Sequence, residues 1–417
     1  MVVNPQLLFQ MNGLVVFILF IALVIVYTYK AYQNSRTVST HKIRLIYGII
    51  TFLLVIGFLL MWQRQVDNYA SITMIKNICI GLSVALLVSM LITVSAFLLE
   101  DIVRIVLWIK RSIQHKKRVV LPARTNTIRV ATLAITVLIV SAVLYGVVWG
   151  FSHYKVHYVD FAHPDIPTEF DGFTIAQISD THLGTFGSIK QVQKGLDVLQ
   201  QQNPDMVVFT GDMVNNKSEE AERYISMFAH IKAPYGKFAV LGNHDYAHYA
   251  GNLTEQEQHH DVEKLRKIIG QMGFEILENE HRTIIQSADT IQLVGVENWG
   301  LKPFPQYGDL DKSMQETEKK MFTVLLSHDP SHWRHEIVEY VPPIELTLSG
   351  HTHGMQFGFE IGDTKWSPIQ YRYSDWAGLF EYNNRYLYVN RGFGGIGFPA
   401  RIGIRPEITV IRLQSEE

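Results

Sequence analysis

Four stretches of this chain run without a single Asp, Glu, Lys or Arg: residues 1 to 29, Leu45 to Gln63, Asn77 to Leu99 and Val130 to Tyr154. At 1.5 Å of rise per residue, about 20 apolar residues cross the roughly 30 Å hydrocarbon core of a bilayer, and each stretch reaches or nearly reaches that length. The pattern predicts a four-helix membrane unit over residues 1–154, with helices at about 10–29, 45–63, 77–99 and 130–152. A cleaved signal peptide is the alternative for the first stretch, but residues 1–11 carry no basic region and no small-residue cleavage site follows the apolar run. Ile102 to Lys110 (IVRIVLWIK) either prolongs the third helix or lies along the interface.

Charge divides the chain at the same place. Residues 1–154 hold 14 Lys and Arg against 3 Asp and Glu, residues 155–417 hold 23 against 36, and the total of −2 conceals the split. This excludes a single soluble domain and a disordered chain, and the acidic second half would repel phosphate backbones, which excludes a general nucleic-acid binder. The lone Cys79 excludes a disulfide scaffold and a cysteine zinc site; within its apolar run it reads as a small core or lipid-facing residue.

Basic loops stay in the cytoplasm. The first loop has Lys30, Arg36, Lys42 and Arg44 and no acid; the third has Arg104, Lys110, Arg111, Lys116, Lys117, Arg118 and Arg124 against Glu100 and Asp101; the second has only Arg64 and Lys76 against Asp67. The odd loops are therefore expected inside, and the C-terminal half outside, in a multi-pass protein of a bacterial inner or plasma membrane. No charge lies within a span, which counts against a channel or transporter and favours an anchor over a lipid cavity or sensor.

After residue 154 the pattern changes to short β-type runs separated by amphipathic segments. FTIAQIS, DMVVFT, KFAVL, TIQLVGV, MFTVLLS and IELTLS each end in polar or Gly residues, with helices expected over Ser188 to Gln202 and Ser218 to Ile231, and RYLYVN and EITVIRL as closing strands. The expectation is a linker at 155–172 and then, over 173–417, an α/β domain of two packed mixed β-sheets flanked by helices. Active sites of such sheets collect at the carboxyl ends of strands.

Those ends carry Asp180-Thr181-His182, Gly211-Asp212, Gly242-Asn243-His244-Asp245, Ser327-His328 and Gly350-His351-Thr352-His353. Carboxylate, amide and imidazole donors without thiolate suit Mn, Fe, Zn or a similar metal. Residues two apart on a turn can face one site, and the glycines permit the sharp turns. Singly, each of these pieces also reads as a turn or a core histidine; together and in this order they resemble the calcineurin-like binuclear metallophosphoesterases, whose signature runs Asp-x-His, Gly-Asp, Gly-Asn-His-Asp/Glu, His, Gly-His-x-His. The text Tyr388-Val-Asn-Arg391-Gly-Phe-Gly394-Gly, with Arg401 and Pro406-Glu407, is similar to the membrane-attached branch that includes UDP-2,3-diacylglucosamine hydrolases, from which a four-span unit is a departure.

The resemblance implies two divalent metal ions (Mn, Fe, Zn or similar), with Asp180, His182 and His353 on one, Asn243, His328 and His351 on the other, and Asp212 bridging. Such a pair holds and deprotonates a bridging water, which attacks phosphorus in line. His244 is then expected to stabilise the phosphoryl oxygen or protonate the leaving oxygen, with Asp245 either orienting it or capping a helix. Arg391 and Arg401 either hold a second phosphate or pair strands; His332 and His335 either line the pocket or begin a solvated helix; His259 and His260 are expected in solvent. The leading function is a membrane-anchored phosphoesterase acting on a lipid-linked or nucleotide-linked monoester, diester or pyrophosphate. A UDP-2,3-diacylglucosamine-type hydrolase of lipid A synthesis with a cytoplasmic site and a non-catalytic membrane sensor or scaffold are the competing readings.

Overall fold

The computed structural model describes residues 5–33, 40–66, 74–115, 119–251, 253–315, 321–362 and 364–416. It divides into two compact units, Met1–Trp62 with Ile78–Leu144, and Gln63–Asn77 with Tyr145–Glu417. The first is helical: α1 (Pro5–Gln33), α2 (Thr40–Val66), α3 (Met74–His115) and α4 (Asn126–Val148). Among the described residues, α2, α3 and α4 are long and apolar enough to cross a membrane, and α1 is apolar over Ile18–Gln33. Val24, Leu54, Leu86 and Met90 form the buried centre of this unit. Ile102 to Lys110 continues α3 as regular helix. Just before it Glu100 and Asp101 meet Arg124 (3.4 and 2.6 Å), and Arg104 reaches Asp101 as well; paired charges cost far less than lone ones in apolar surroundings. Of the loop charges, Arg36, Asp67, Lys116, Lys117 and Arg118 lie outside the described residues.

The second unit is built on strands β1 (Lys155–His163), β2 (Thr174–Ile178), β3 (Met206–Phe209), β4 (Lys237–Ala239), β5 (Glu275–Ile276), β6 (Glu280–Gln286) and β7 (Asp289–Gly295). There follow β8 (Thr323–Leu326), β9 (Leu346–Ser349), β10 (Phe359–Ile361), β11 (Thr364–Trp366), β12 (Gly378–Tyr382), β13 (Arg385–Val389) and β14 (Glu407–Ser415). One sheet has the order β1-β14-β2-β3-β4-β5 and the other β12-β13-β9-β8-β7-β6, while β10 and β11 make a separate hairpin. Phe173, Ile175, Val208, Val240, Leu293, Val324, Leu348 and Ile411 fill the space between the sheets. Helices α5 (Ile189–Gln200) and α8 (Glu255–Gln271) cover the outer face of the first sheet through Val192, Leu196, Leu265 and Ile269, and Trp333 and Ile337 cover the second. Strands covered on both faces have no solvent side, and β3, β8 and β9 are accordingly buried at every position.

Two expectations are corrected. Residues 155–172 are not a plain linker, since β1 pairs in parallel with β14 along its whole length, from Lys155↔Glu407 to His163↔Ser415. An edge strand half in water has no continuous apolar run, and only Phe161 and His163 of β1 are buried. The helix expected over Ser218 to Ile231 is two pieces, α6 (Glu219–Glu222) and α7 (Ile225–Ala229), with the fully buried Tyr224 at the break.

Candidate metal centre

Asp180 follows β2, Asp212 follows β3, Asn243 follows β4, His328 follows β8 and His351 follows β9, so the carboxyl ends of strands from both sheets bring their polar residues together. Donor atoms of Asp180, His182, Asp212 and His353 lie within 4.8 Å of one another, and so do those of Asp212, His328 and His351. Asn243 Oδ1 stands 2.9 Å from His351 Nδ1. Asp180, His182, Asp212, His351 and His353 all have positive φ, between 42° and 68°. Left-handed backbone costs a non-glycine residue on the order of 1–3 kcal/mol and persists where surroundings enforce it, as at functional sites. At Gly242 a Cβ would lie 2.2 Å from Asp212 Oδ1, so this turn must be glycine for the carboxylate to keep its place.

Hydrogen bonds on the far side of each ring fix its direction. His182 Nδ1 faces the Val214 carbonyl at 3.1 Å and His328 Nδ1 the Thr210 carbonyl at 2.7 Å. A carbonyl only accepts, so each ring carries a proton on Nδ1 and turns Nε2 inward, where the neutral form would offer its lone pair to a cation. His351 is turned the other way, with Nε2 on the Tyr373 hydroxyl (2.9 Å) and near Asp329 (3.5 Å). As a result His182 Nε2 and His353 Nε2 stand 3.0 Å apart, His328 Nε2 and His351 Nδ1 3.3 Å apart. Each pair must share a proton or a cation. Asp212 Oδ2 completes both, at 3.4 Å from His182 Nε2 and 3.3 Å from His328 Nε2. Burial works against charge in Asp180 and Asp212, yet the surrounding histidines hold both well below the usual carboxylate range. Burial would lower His328 too, but Asp212 and Asp180 push it up to about 10; burial lowers His182, His351 and His353. Buried carboxylates, an amide oxygen and imidazoles aimed inward fit divalent cations of the borderline class.

His244 stands at the edge of this cluster. Its N–H donates to Asp212 Oδ1 (2.9 Å), its Nδ1 faces the Asn215 carbonyl (2.7 Å), and its ring stacks on Tyr249 with centroids 4.2 Å apart. Burial lowers it to about 4 against the pull of Asp212. The orienting contact expected from Asp245 is absent. Its carboxylate accepts the N–H groups of Asp212, Met213, Val214 and Gly242, at 2.8, 2.8, 3.2 and 3.0 Å, tying two donor-bearing loops together; the capping alternative was the nearer one.

Arg391 and Arg401 are both buried and engaged within the protein. Arg391 pairs with Glu407 (2.7 Å) and Glu360, and Arg401 donates to the carbonyls of Gly394, Arg391 and Gly392 at 2.7, 2.8 and 3.0 Å. Both guanidinium groups hold the 390–394 turn from inside. His332 is fully buried between Ser327 and Glu336 and stacks on Trp299, which His335 also approaches; His259 and His260 are exposed on α8. The sequence reading missed Asn215, Tyr249, Asp329 and Tyr373. Asp329 had a signal, its place directly after His328, whereas the other three approach the site only through folding.

Residues 173–355 match the calcineurin-like phosphoesterase family, and residues 11–151 match the transmembrane domain described as that of a probable calcineurin-like phosphoesterase. Among relatives, an uncharacterized metallophosphoesterase, YkuE, of Bacillus subtilis is 29% identical over 60% of this chain and 82% of its own. A transmembrane protein with metallophosphoesterase domain of Danio rerio is 30% identical over 66% of this chain and 62% of its own. The UDP-2,3-diacylglucosamine pyrophosphatase LpxG of Chlamydia trachomatis is 28% identical over 55% of this chain and 82% of its own. With both matches in place and a donor cluster suited to two divalent metals, this chain carries a calcineurin-like phosphoesterase domain over residues 173–355 and, over residues 11–151, a transmembrane domain of the kind described for such a phosphoesterase, and it is a phosphoester hydrolase.

Proposed function

We propose that this membrane protein hydrolyses a phosphoester or pyrophosphate bond in a lipid-linked substrate at a pair of divalent cations. Asp180, His182 and His353 would hold one ion, Asn243, His328 and His351 the other, and Asp212 would bridge them. The observation that carries this reading is the position of Asp212 Oδ2, within 3.4 Å of a nitrogen from each facing pair of histidines. Bound cations there would supply Lewis acidity and bring the pKa of water toward neutrality.

The protein's own groups do the positioning. Asp245 keeps the 212–214 loop and Gly242 in one frame through its four accepted bonds. His244, with Nδ1 committed to the Asn215 carbonyl, presents Nε2 outward. A phosphate anion beside it favours the imidazolium, from which Nε2 gives a proton to the leaving oxygen.

A membrane-borne substrate is favoured because six residues separate the end of α4 at Val148 from the start of β1 at Lys155, about 20 Å at full extension. The relative named for a UDP-linked diacylglucosamine supports the same substrate class. Loop charge favours an extracytoplasmic site; that relative's name favours the second reading, a lipid-A-type hydrolase facing the cytoplasm. The full-length protein should hydrolyse bis-p-nitrophenyl phosphate, p-nitrophenyl phosphate or UDP-diacylglucosamine once supplied with Mn, Zn or another divalent ion. No turnover of any of the three with any divalent metal would refute the reading.

A further inference from the structure

The hairpin of β10 and β11 has its sides reversed with respect to water. Glu360 and Lys365 are cross-strand partners, and both turn to the protein: Glu360 pairs with Arg391 and Lys155, and the Lys365 ammonium lies 4.7 and 5.7 Å from the ring centroids of Phe380 and Trp376. The residues between them in the alternation point outward, with Ile361 74% and Phe359 42% exposed. Met355 and Phe357, on the approach to β10, are 56% and 48% exposed. An antiparallel pair with one wet face shows charge to water and apolar groups to the core, so this outer face is not built for water. Four large apolar side chains within seven residues also exceed the scattered single exposures that need no explanation.

The segment that leaves the membrane says what covers it. Arg401 donates its N–H to the carbonyl of Gly146, in the last turn of α4, and a Cβ at Gly146 would come within 2.8 Å of Arg401 O and Ile402 Cγ1. Ile402 in turn donates to Gln356 O at 2.8 Å and accepts from Gly358 N at 3.0 Å. The root of the hairpin is thus two hydrogen-bonded steps from Gly146, within the same compact unit. Tyr145 and Trp149, 52% and 51% exposed, flank it in the chain, and such aromatics settle at the headgroup level. On the other side the root leads straight to the metal centre, since Met355 is two residues beyond His353.

We propose that the β10–β11 hairpin is a membrane-inserting lip: Met355, Phe357, Phe359 and Ile361 enter the interfacial layer of the bilayer, and the acyl part of a membrane-borne phosphate ester reaches the site along that face. The insertion stands on the geometry alone, whereas the acyl path rests on the proposed function.

The full chain in phosphatidylglycerol–phosphatidylethanolamine vesicles, in a Cys79→Ser background, tests both. An environment-sensitive fluorophore on Ile361→Cys should be quenched by spin-labelled lipid. The same probe on Val341→Cys, which is 80% exposed but precedes β9 at the end opposite His351, should not be. Equal response at the two positions would overturn the insertion. Phe359→Ser with Ile361→Ser should lower the rate on a lipid phosphate in vesicles, relative to that on soluble bis-p-nitrophenyl phosphate, about tenfold; an unchanged ratio would overturn the acyl path. If neither ester is turned over by the unaltered protein, the proposed function fails, and quenching alone decides the lip.

Discussion

Gly350→Ala is the sharpest probe of the centre because it adds one methyl group and alters no proposed donor. A Cβ at this position would lie 2.0 Å from Ser179 Oγ and 2.2 Å from Asp180 Oδ2. Ordinary contact begins near 3.4 Å, so the Asp180 carboxylate must retreat by about 1.2 Å. It cannot do so freely, because the His351 N–H holds both of its oxygens, at 2.9 and 3.0 Å. Overpacking of this kind costs about 1–3 kcal/mol of stability, and displacement of a reacting group by about 1 Å costs on the order of a hundredfold in rate. The shift falls on the Asp180 set and leaves the Asn243, His328 and His351 set in place. Elemental analysis of the purified variant should therefore fall from about two ions per chain toward about one, with kcat on a soluble ester down about a hundredfold. A variant that keeps both ions and full turnover would show that Asp180 is not a ligand, and that the close approach of Gly350 serves packing alone.

Asp212→Asn or His351→Ala should lose most metal and activity together, whereas His244→Ala should keep its metal and lose turnover, as befits a group that acts in the transition state; elemental analysis decides, and equal metal loss in all three would reverse the roles. Glu345 is pushed up from 4.5 to about 7, chiefly by burial. Because the folded value is the higher one, its stability contribution is fully present below about 4.5 and is lost as pH rises through about 7, a change of about 3 kcal/mol. Thermal unfolding of Glu345→Gln should be flatter between pH 5 and 8 than that of the unaltered protein, and identical slopes would refute the assignment. A phosphatase reporter fused after Glu417 should be active outside the cell and one in the Lys110 to Arg124 loop inactive there; the opposite pattern would place the site in the cytoplasm.

The sequence by itself determined the elements whose physics is local. Long runs without charge read as membrane helices and short apolar runs closed by polar or Gly residues as strands, so the membrane unit and six of the strands were legible along the chain. The candidate donor residues were legible because each sits within four places of the end of such a strand. What the sequence could not settle is what depends on partners far away. β1 has no continuous apolar run, because it is defined by nine pairs with β14, about 250 residues later. Arg391 and Arg401 carry charges that look available until folding buries them against Glu407 and the 390–394 carbonyls. Asp245 follows His244 in sequence, but the left-handed turns at Asp212 and its neighbours deliver four N–H groups to its carboxylate instead. Hydrophobic periodicity is a property of a segment and survives reading in one dimension; hydrogen-bond satisfaction belongs to the assembled interior, and only the tertiary structure decides it.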